Sequence, residues 1–250
     1  MVDKITESLA LLTHKDHIIT IQKHFRAFRI RTSRMPVVMY KIKECLIKDP
    51  LPICSIKKDG RKNSCNDEDT IIDILVKKFG DRIIVPPEKS RMWYDILVYD
   101  YKYHWIPVNI KSTTMKTADN TGNLTMCVYS YTDEILYLHK KPTYKNGEMS
   151  RILFNKLKNR EYNNSSKDYY FLVINKTNSS DVIINSILGL TSLTPNSNNL
   201  PFQVKWSANR IYNYRPIREK IDTFIKCILK PQRSWKEDFL SNMRTLELEN

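Results

Sequence analysis

Three side chains within one short stretch have the types and spacing to handle a phosphate: Asp95, Asn109 and Lys111. They fall in Trp93–Asn123, which reads as two strands, a tight turn and the start of a helix. Trp93–Tyr101 alternates and is rich in aromatic and aliphatic residues; Trp105–Lys111 is a second such run. Side chains two apart on a strand share a face, so Asn109 and Lys111 point the same way and Ile110 points away. Pairing the two strands as a hairpin brings Asp95 to that pair. A carboxylate can hold Mg²⁺, which takes oxygen ligands and keeps several waters. A lysine beside a phosphate can stabilise charge, or orient and deprotonate an attacking water. Phosphodiester hydrolysis needs those parts. On spacing alone, a surface hairpin with scattered polar residues fits as well.

The elements that must position these groups follow from periodicity. Residues 1–48 read as helical. Ile5, Leu9, Leu11 and Leu12 open an apolar stripe that Ile18, Ile21, Phe25 and Phe28 continue, with Arg26, Arg29, Arg31 and Arg34 around it. A second helix follows Pro36, over Met35–Lys48. Asp49–Asn63, with Pro50, Pro52 and Gly60, reads as a loop and as a boundary near residue 50. Ser64–Phe79 is a helix capped by Asn66 or Asp67 and ended by Gly80. Arg82–Pro86 gives a first strand. A helix running to about Tyr131 takes Asp119 or Asn120 as its cap, and a short helix spans Ser150–Lys158. Tyr169–Asn175 is almost wholly apolar, a buried central strand. Val182–Gly189 gives a further strand, and Ile211–Leu229 and Trp235–Leu246 read as helices. The expected fold is α/β: a mixed sheet of about four or five strands flanked by helices, with a helical N-terminal extension over 1–50 and the main domain over 51–250.

The chain has 250 residues, 41% of them hydrophobic, enough for one sizeable core. Its net charge of +14 and pI of about 9.5 point to a polyanionic partner. No apolar run approaches a membrane span and no secretory signal opens the chain, so an intracellular, cytoplasmic protein is expected. The five cysteines are widely spaced with no C-x-x-C, which argues against a zinc site or a disulfide framework. The polar turn at Ser112 and Thr113, with Asn120 beyond it, is placed for backbone and hydroxyl contacts to phosphate. Gln203, Lys205, Asn209 and Arg210 have side chains suited to base edges; Gln and Asn pair with adenine, Arg with guanine. An ordinary solvated loop would look the same in sequence.

Asp95 followed by Asn109-Ile110-Lys111 resembles the PD-(D/E)xK nuclease core. More narrowly it looks like the MspI-like type II restriction endonucleases, in which Asn stands for the usual acid. The run PVNIKST and the following ADNTGN are similar to that group, and the likeness covers roughly Ser64–Trp206. Tyr94 stands where the family has Pro. The resemblance implies a restriction-endonuclease-like sheet and a Mg²⁺-dependent, sequence-specific endodeoxyribonuclease acting on double-stranded DNA. Asp95 and the backbone carbonyl of Ile110 would hold one Mg²⁺. Lys111 would position or activate water, and Asn109 would hold a water. A helical acid, Glu68 with Asp69 and Asp73 as competitors, would assist through water. Acids in a first helical turn also simply complement the helix dipole. A cognate DNA methyltransferase is implied as a companion, and both a monomer and a homodimer across a palindrome fit.

Two other classes remain open from the residues. One is a non-catalytic DNA-binding protein on a nuclease scaffold; the other is a repair or junction nuclease reading structure instead of sequence. The run Ile21–Arg31 resembles an IQ motif, with Ala27 where that motif has Gly. Such a helix would be clasped by an acidic, calmodulin-type partner. The plainer reading is a helix that packs its apolar stripe on the core and offers arginines to phosphates.

Overall fold

Two apolar layers, one on each face of a single sheet, organise the chain in the computed structural model, which describes residues 35–51, 60–87, 92–138, 146–196, 201–230 and 237–248. The described helices are α1 (Val37–Lys48), α2 (Gly60–Phe79), α3 (Leu124–Tyr131), α4 (Asn146–Lys158), α5 (Ile217–Ile228) and α6 (Glu237–Leu248). The strands are β1 (Ile83–Ile84), β2 (Ile96–Asp100), β3 (His104–Thr113), β4 (Tyr170–Asn175) and β5 (Asn178–Ser186). They pair in the order β1-β2-β3-β4-β5, antiparallel except for the parallel β3–β4 step. This is the mixed five-stranded sheet flanked by helices that the periodicity calls for.

Alternation along each strand sorts its side chains between the layers. Val108, Ile110, Leu172 and Ile174 face α1 and α2, whose Met39, Ile42, Leu46, Ile71 and Leu75 are buried against them. Phe171, Val173 and Ile183 face the other way, into a layer closed by α3 to α6 with Phe202, Trp206 and Phe224 at its centre. The α1 helix packs on β5 and β2, so the boundary drawn near residue 50 falls between two helices that share one apolar layer. The IQ-like run and the arginines from Arg26 to Arg34 lie outside the described residues. No helix among the described residues is long and apolar enough to cross a membrane.

Several local expectations need correction. The α2 helix begins at Gly60, so Asp67 is no cap: it sits inside the helix, buried, where it accepts a hydrogen bond from the Ser112 hydroxyl at 2.9 Å. Gly80 does end α2, at a φ of 53° that suits a residue without Cβ. The cap of α3 is Asn123, whose Oδ1 accepts the Met126 N–H at 2.9 Å, not Asp119 or Asn120. Asp119 instead bridges to Val204 through two backbone hydrogen bonds, of 2.9 and 3.0 Å. β5 stops at Ser186 and runs into a short 3₁₀ turn, Ile187–Gly189. The first of the two C-terminal helices starts only at Ile217, leaving Asn209–Pro216 as an irregular loop.

Candidate active site

The site forms where β2 and β3 part. The last β2–β3 pair is Ile96 with Val108; beyond it β3 continues beside β4 alone. This leaves the N–H of Ile110 without a strand partner on that side, and Asp95 supplies one: its Oδ2 accepts that N–H at 2.7 Å, while its own N–H donates to Val108 O at 3.0 Å. The carboxylate is thereby fixed by the strand that carries Asn109 and Lys111. A charge-assisted bond of that length is among the stronger kinds.

From the opposite side, α2 brings Glu68. The Lys111 ammonium lies 3.3 Å from its Oε1. Burial pushes the Glu68 carboxyl above its usual range; Lys111 pulls it down, and Asp95 is near enough to push it up again. Of the acids considered in α2, Glu68 makes this contact, while Asp69 and Asp73 are exposed. Asp95, Glu68 and Lys111 therefore form one cluster at the C-terminal end of β3.

Asn109, two residues before Lys111 on β3, is buried. Its amide lies against the Tyr169 hydroxyl, which in turn donates to Trp93 O at 2.8 Å. The Oδ1 of Asn109 has no hydrogen-bond partner among the described residues, an uncommon condition for a buried oxygen. Asp95 also acts on Tyr169, so the hydroxyl, the amide and the carboxylate are neighbours.

Two further groups stand near the site: Lys176, not singled out from sequence, and Asp119, expected only as a helix cap. Lys176, in the turn after β4, donates its N–H to Thr113 O at 2.9 Å, and its ammonium lies 3.5 Å from Asp67. It also acts on Glu68 and on Asp119. The Asp119 carboxyl, pushed up by burial, accepts from the Thr113 hydroxyl at 3.1 Å, and the Trp206 indole N–H faces it without reaching hydrogen-bond geometry. The pattern of Lys176 in a turn carries no signal of its own; only the parallel β3–β4 pairing places it beside the site.

The residues expected to meet DNA divide between interior and surface. Ser112 and Thr113 are buried, with hydroxyls committed to Asp67 and Asp119. Asn120 is exposed and its Oδ1 accepts from Gln203 at 2.6 Å and Asn196 at 3.2 Å. Lys205 and Arg210 are exposed, Arg210 pairing with Asp181. Asn209 is fully buried: Oδ1 accepts from Thr191 and Ser192, and Nδ2 donates to Ser192 O and Lys205 O.

The donor set suits a hard cation in kind. Asp95, just before β2, and Glu68, in α2, are near enough to act on one another, and Asp95 also acts on the Tyr169 hydroxyl that Asn109 lies against. Mg²⁺ needs only one or two protein carboxylates, since waters and substrate phosphate complete its shell. No group of three or more His, Cys, Asp or Glu side chains close enough to share an ion occurs among the described residues. Comparison with protein-family models, with curated proteins and with solved structures returns no match to this chain.

Proposed function

We propose that the protein is a Mg²⁺-dependent endodeoxyribonuclease of the type II restriction kind, hydrolysing phosphodiester bonds in double-stranded DNA at a preferred sequence. The observation that carries this reading is the meeting of Asp95, Glu68 and Lys111 at the parting of β2 and β3. A mixed sheet flanked by helices, and a net charge of +14, are in keeping with it.

Asp95 and Glu68, with the Ile110 carbonyl and the Asn109 amide oxygen in support, are the groups that would hold the ion. Bound there, Mg²⁺ would neutralise charge on the scissile phosphate and lower the pKa of water. Lys111 has two duties. Its ammonium stabilises the charge that builds on the non-bridging oxygens, and it orients the incoming water. Water oxygen attacks phosphorus and gives up a proton to solvent, the bond to the leaving sugar oxygen breaks, and that oxygen takes up a proton from solvent. Asn109 fixes a water through its amide, and Tyr169 fixes Asn109. Nothing in this scheme needs a covalent intermediate on the enzyme. The reading carries with it a DNA methyltransferase that protects the cell's own DNA.

The test is purified protein on long unmethylated DNA, with Mg²⁺ and with EDTA, resolved on a gel. Discrete Mg²⁺-dependent fragments are expected, and Lys111→Ala should lose cleavage by about 10³-fold or more while retaining DNA. A smear would replace sequence preference with a repair-type or general nuclease. Intact DNA held in a salt-sensitive complex, with no cleavage, would sink the enzyme reading and leave a binding protein on a nuclease scaffold.

A further inference from the structure

The loop after the Trp206–Ala208 turn combines firm anchoring with an exposed apolar tip. Asn209, at its start, is fully buried; its amide is engaged at both ends, and its carbonyl accepts from the Asn185 amide at 2.7 Å. Tyr212 lies so close to Gly189 that a Cβ there would stand 2.3 Å from its ring. The Asn213 N–H donates to Gly189 O at 3.0 Å, and the Asn213 carbonyl accepts from the Lys220 ammonium at 2.8 Å. Lys220 is itself buried, a costly position for a lysine, and its ammonium donates to Leu190 O as well. The side chains of Asn185, Asn209, Tyr212 and Lys220 thus hold the loop from Asn209 to Asn213.

What this anchoring presents to solvent is Ile211, 76% exposed, with Tyr214, 49% exposed, three residues on. Arg210 and Arg215 flank the pair in sequence, and Arg218 and Lys205 are exposed nearby along the chain. Arg210 also touches Met115 Sδ at 3.6 Å, which ties the loop to the segment leaving β3 just after Lys111. An exposed isoleucine on a loose loop would be unremarkable. Arg210 is already paired with Asp181, so the cationic neighbours left for phosphates are Lys205, Arg215 and Arg218; an isoleucine on an anchored loop among them has a use on a polyanion. Apolar side chains inserted between base steps unstack and bend duplex DNA, while basic neighbours hold the phosphates. A rigid loop is what insertion requires, since a soft one would fold back instead of parting the bases.

We propose that Arg210–Arg215 is a DNA wedge, with Ile211 inserted between base pairs of the duplex held at the site. This rests on the reading of the protein as one that binds double-stranded DNA, but not on cleavage.

The test avoids both the cutting metal and the unknown recognition sequence. Closed circular plasmid is saturated with the full-length protein in EDTA and relaxed by a metal-independent type IB topoisomerase. After removal of protein, the topoisomers are resolved on a gel. Insertion unwinds DNA, so a shift in linking number that grows with bound protein is expected. Ile211→Ala should lose most of that shift at matched occupancy, and Ile211→Leu should keep most of it. Anisotropy on a labelled duplex sets the occupancy, and Tm confirms folding, which an exposed position should leave unchanged. Equal shifts from wild type and Ile211→Ala would overturn the wedge, as would no shift from saturated wild type. Self-association lost in Ile211→Ala with topology unchanged would assign the tip to a second copy and overturn it too. If the wild type cuts DNA yet gives no shift, the wedge falls and the nuclease stands; a shift without cutting reverses that.

Discussion

Glu68 carries two opposed influences, and their balance can be measured. Burial raises its pKa and Asp95 adds to that, while Lys111 at 3.3 Å lowers it; burial is the larger, so the net direction is up. A carboxyl whose folded pKa lies above its unfolded value contributes stability that is full below the unfolded pKa and is lost as pH rises through the folded one. At neutral pH, without a cation, the charged Glu68 is therefore a cost to the fold. Glu68→Gln keeps the shape and removes the charge. Its melting temperature in EDTA should exceed that of the wild type at pH 8. The gain should vanish near pH 4. Millimolar Mg²⁺ should raise the wild-type midpoint more than that of the variant. A lower midpoint for Glu68→Gln at pH 8 would show that Lys111 outweighs burial and would remove the argument for a site tensioned toward a cation.

At the scale of elements, what was legible in sequence was periodic and what was not was tertiary. Alternation alone put Asn109 and Lys111 on one face, and pairing brought Asp95 to them. The helix expected over Ser64–Phe79 lies within α2 and carries Glu68. The caps failed for a definite reason. Asp119, Asn120 and Asn123 all favour a helix start, and the choice was made by the bridge from Asp119 to Val204, a partner far along the chain. Asp67 reads as a cap only for a helix starting near Ser64; the helix starts at Gly60, and the partner of Asp67 is Ser112 across the layer. Tyr169 was hidden in an apolar run, its hydroxyl role visible only beside Asn109 and Trp93. The Asn209 loop shows the same limit, since an asparagine with every hydrogen bond spent inside reads like one offered to solvent. That loop gives the element-scale test. A methyl at Gly189 would meet Tyr212 and Asn185 Oδ1 at 2.3 Å, and Asn185 also holds Asn209. Gly189→Ala should thus displace both anchors at a cost of about 1–3 kcal/mol in urea unfolding. Limited proteolysis should then cut near Ile211 while the sheet stays resistant. A variant as stable as wild type, with that loop uncut, would mean the turn yields cheaply.

For the whole molecule, a charge of +14 must be partitioned between general attraction and particular contacts. Each phosphate neutralised on duplex DNA releases counterions and adds about −0.9 to the slope of log K against log salt. Part of the excess is spent internally. Lys111, Lys176, Lys78, Lys156 and Arg210 each pair with a carboxylate among the described residues, and Lys220 is buried against carbonyls. Lys205 is exposed beside the proposed wedge loop and its N-terminal neighbour Val204 is fixed to Asp119, so its backbone is held and its side chain faces outward. That favours a phosphate contact over a base contact, because a single ammonium on a long stem carries charge better than pattern. Lys205→Ala should weaken duplex binding to a similar degree on every sequence and reduce the salt slope by about 1, measured by anisotropy in EDTA from 50 to 300 mM salt. A loss confined to one sequence, with the slope unchanged, would instead make Lys205 a reader of bases. Sequence preference would then reside in the bridged segment running into Trp206, and not only in the loop that follows it.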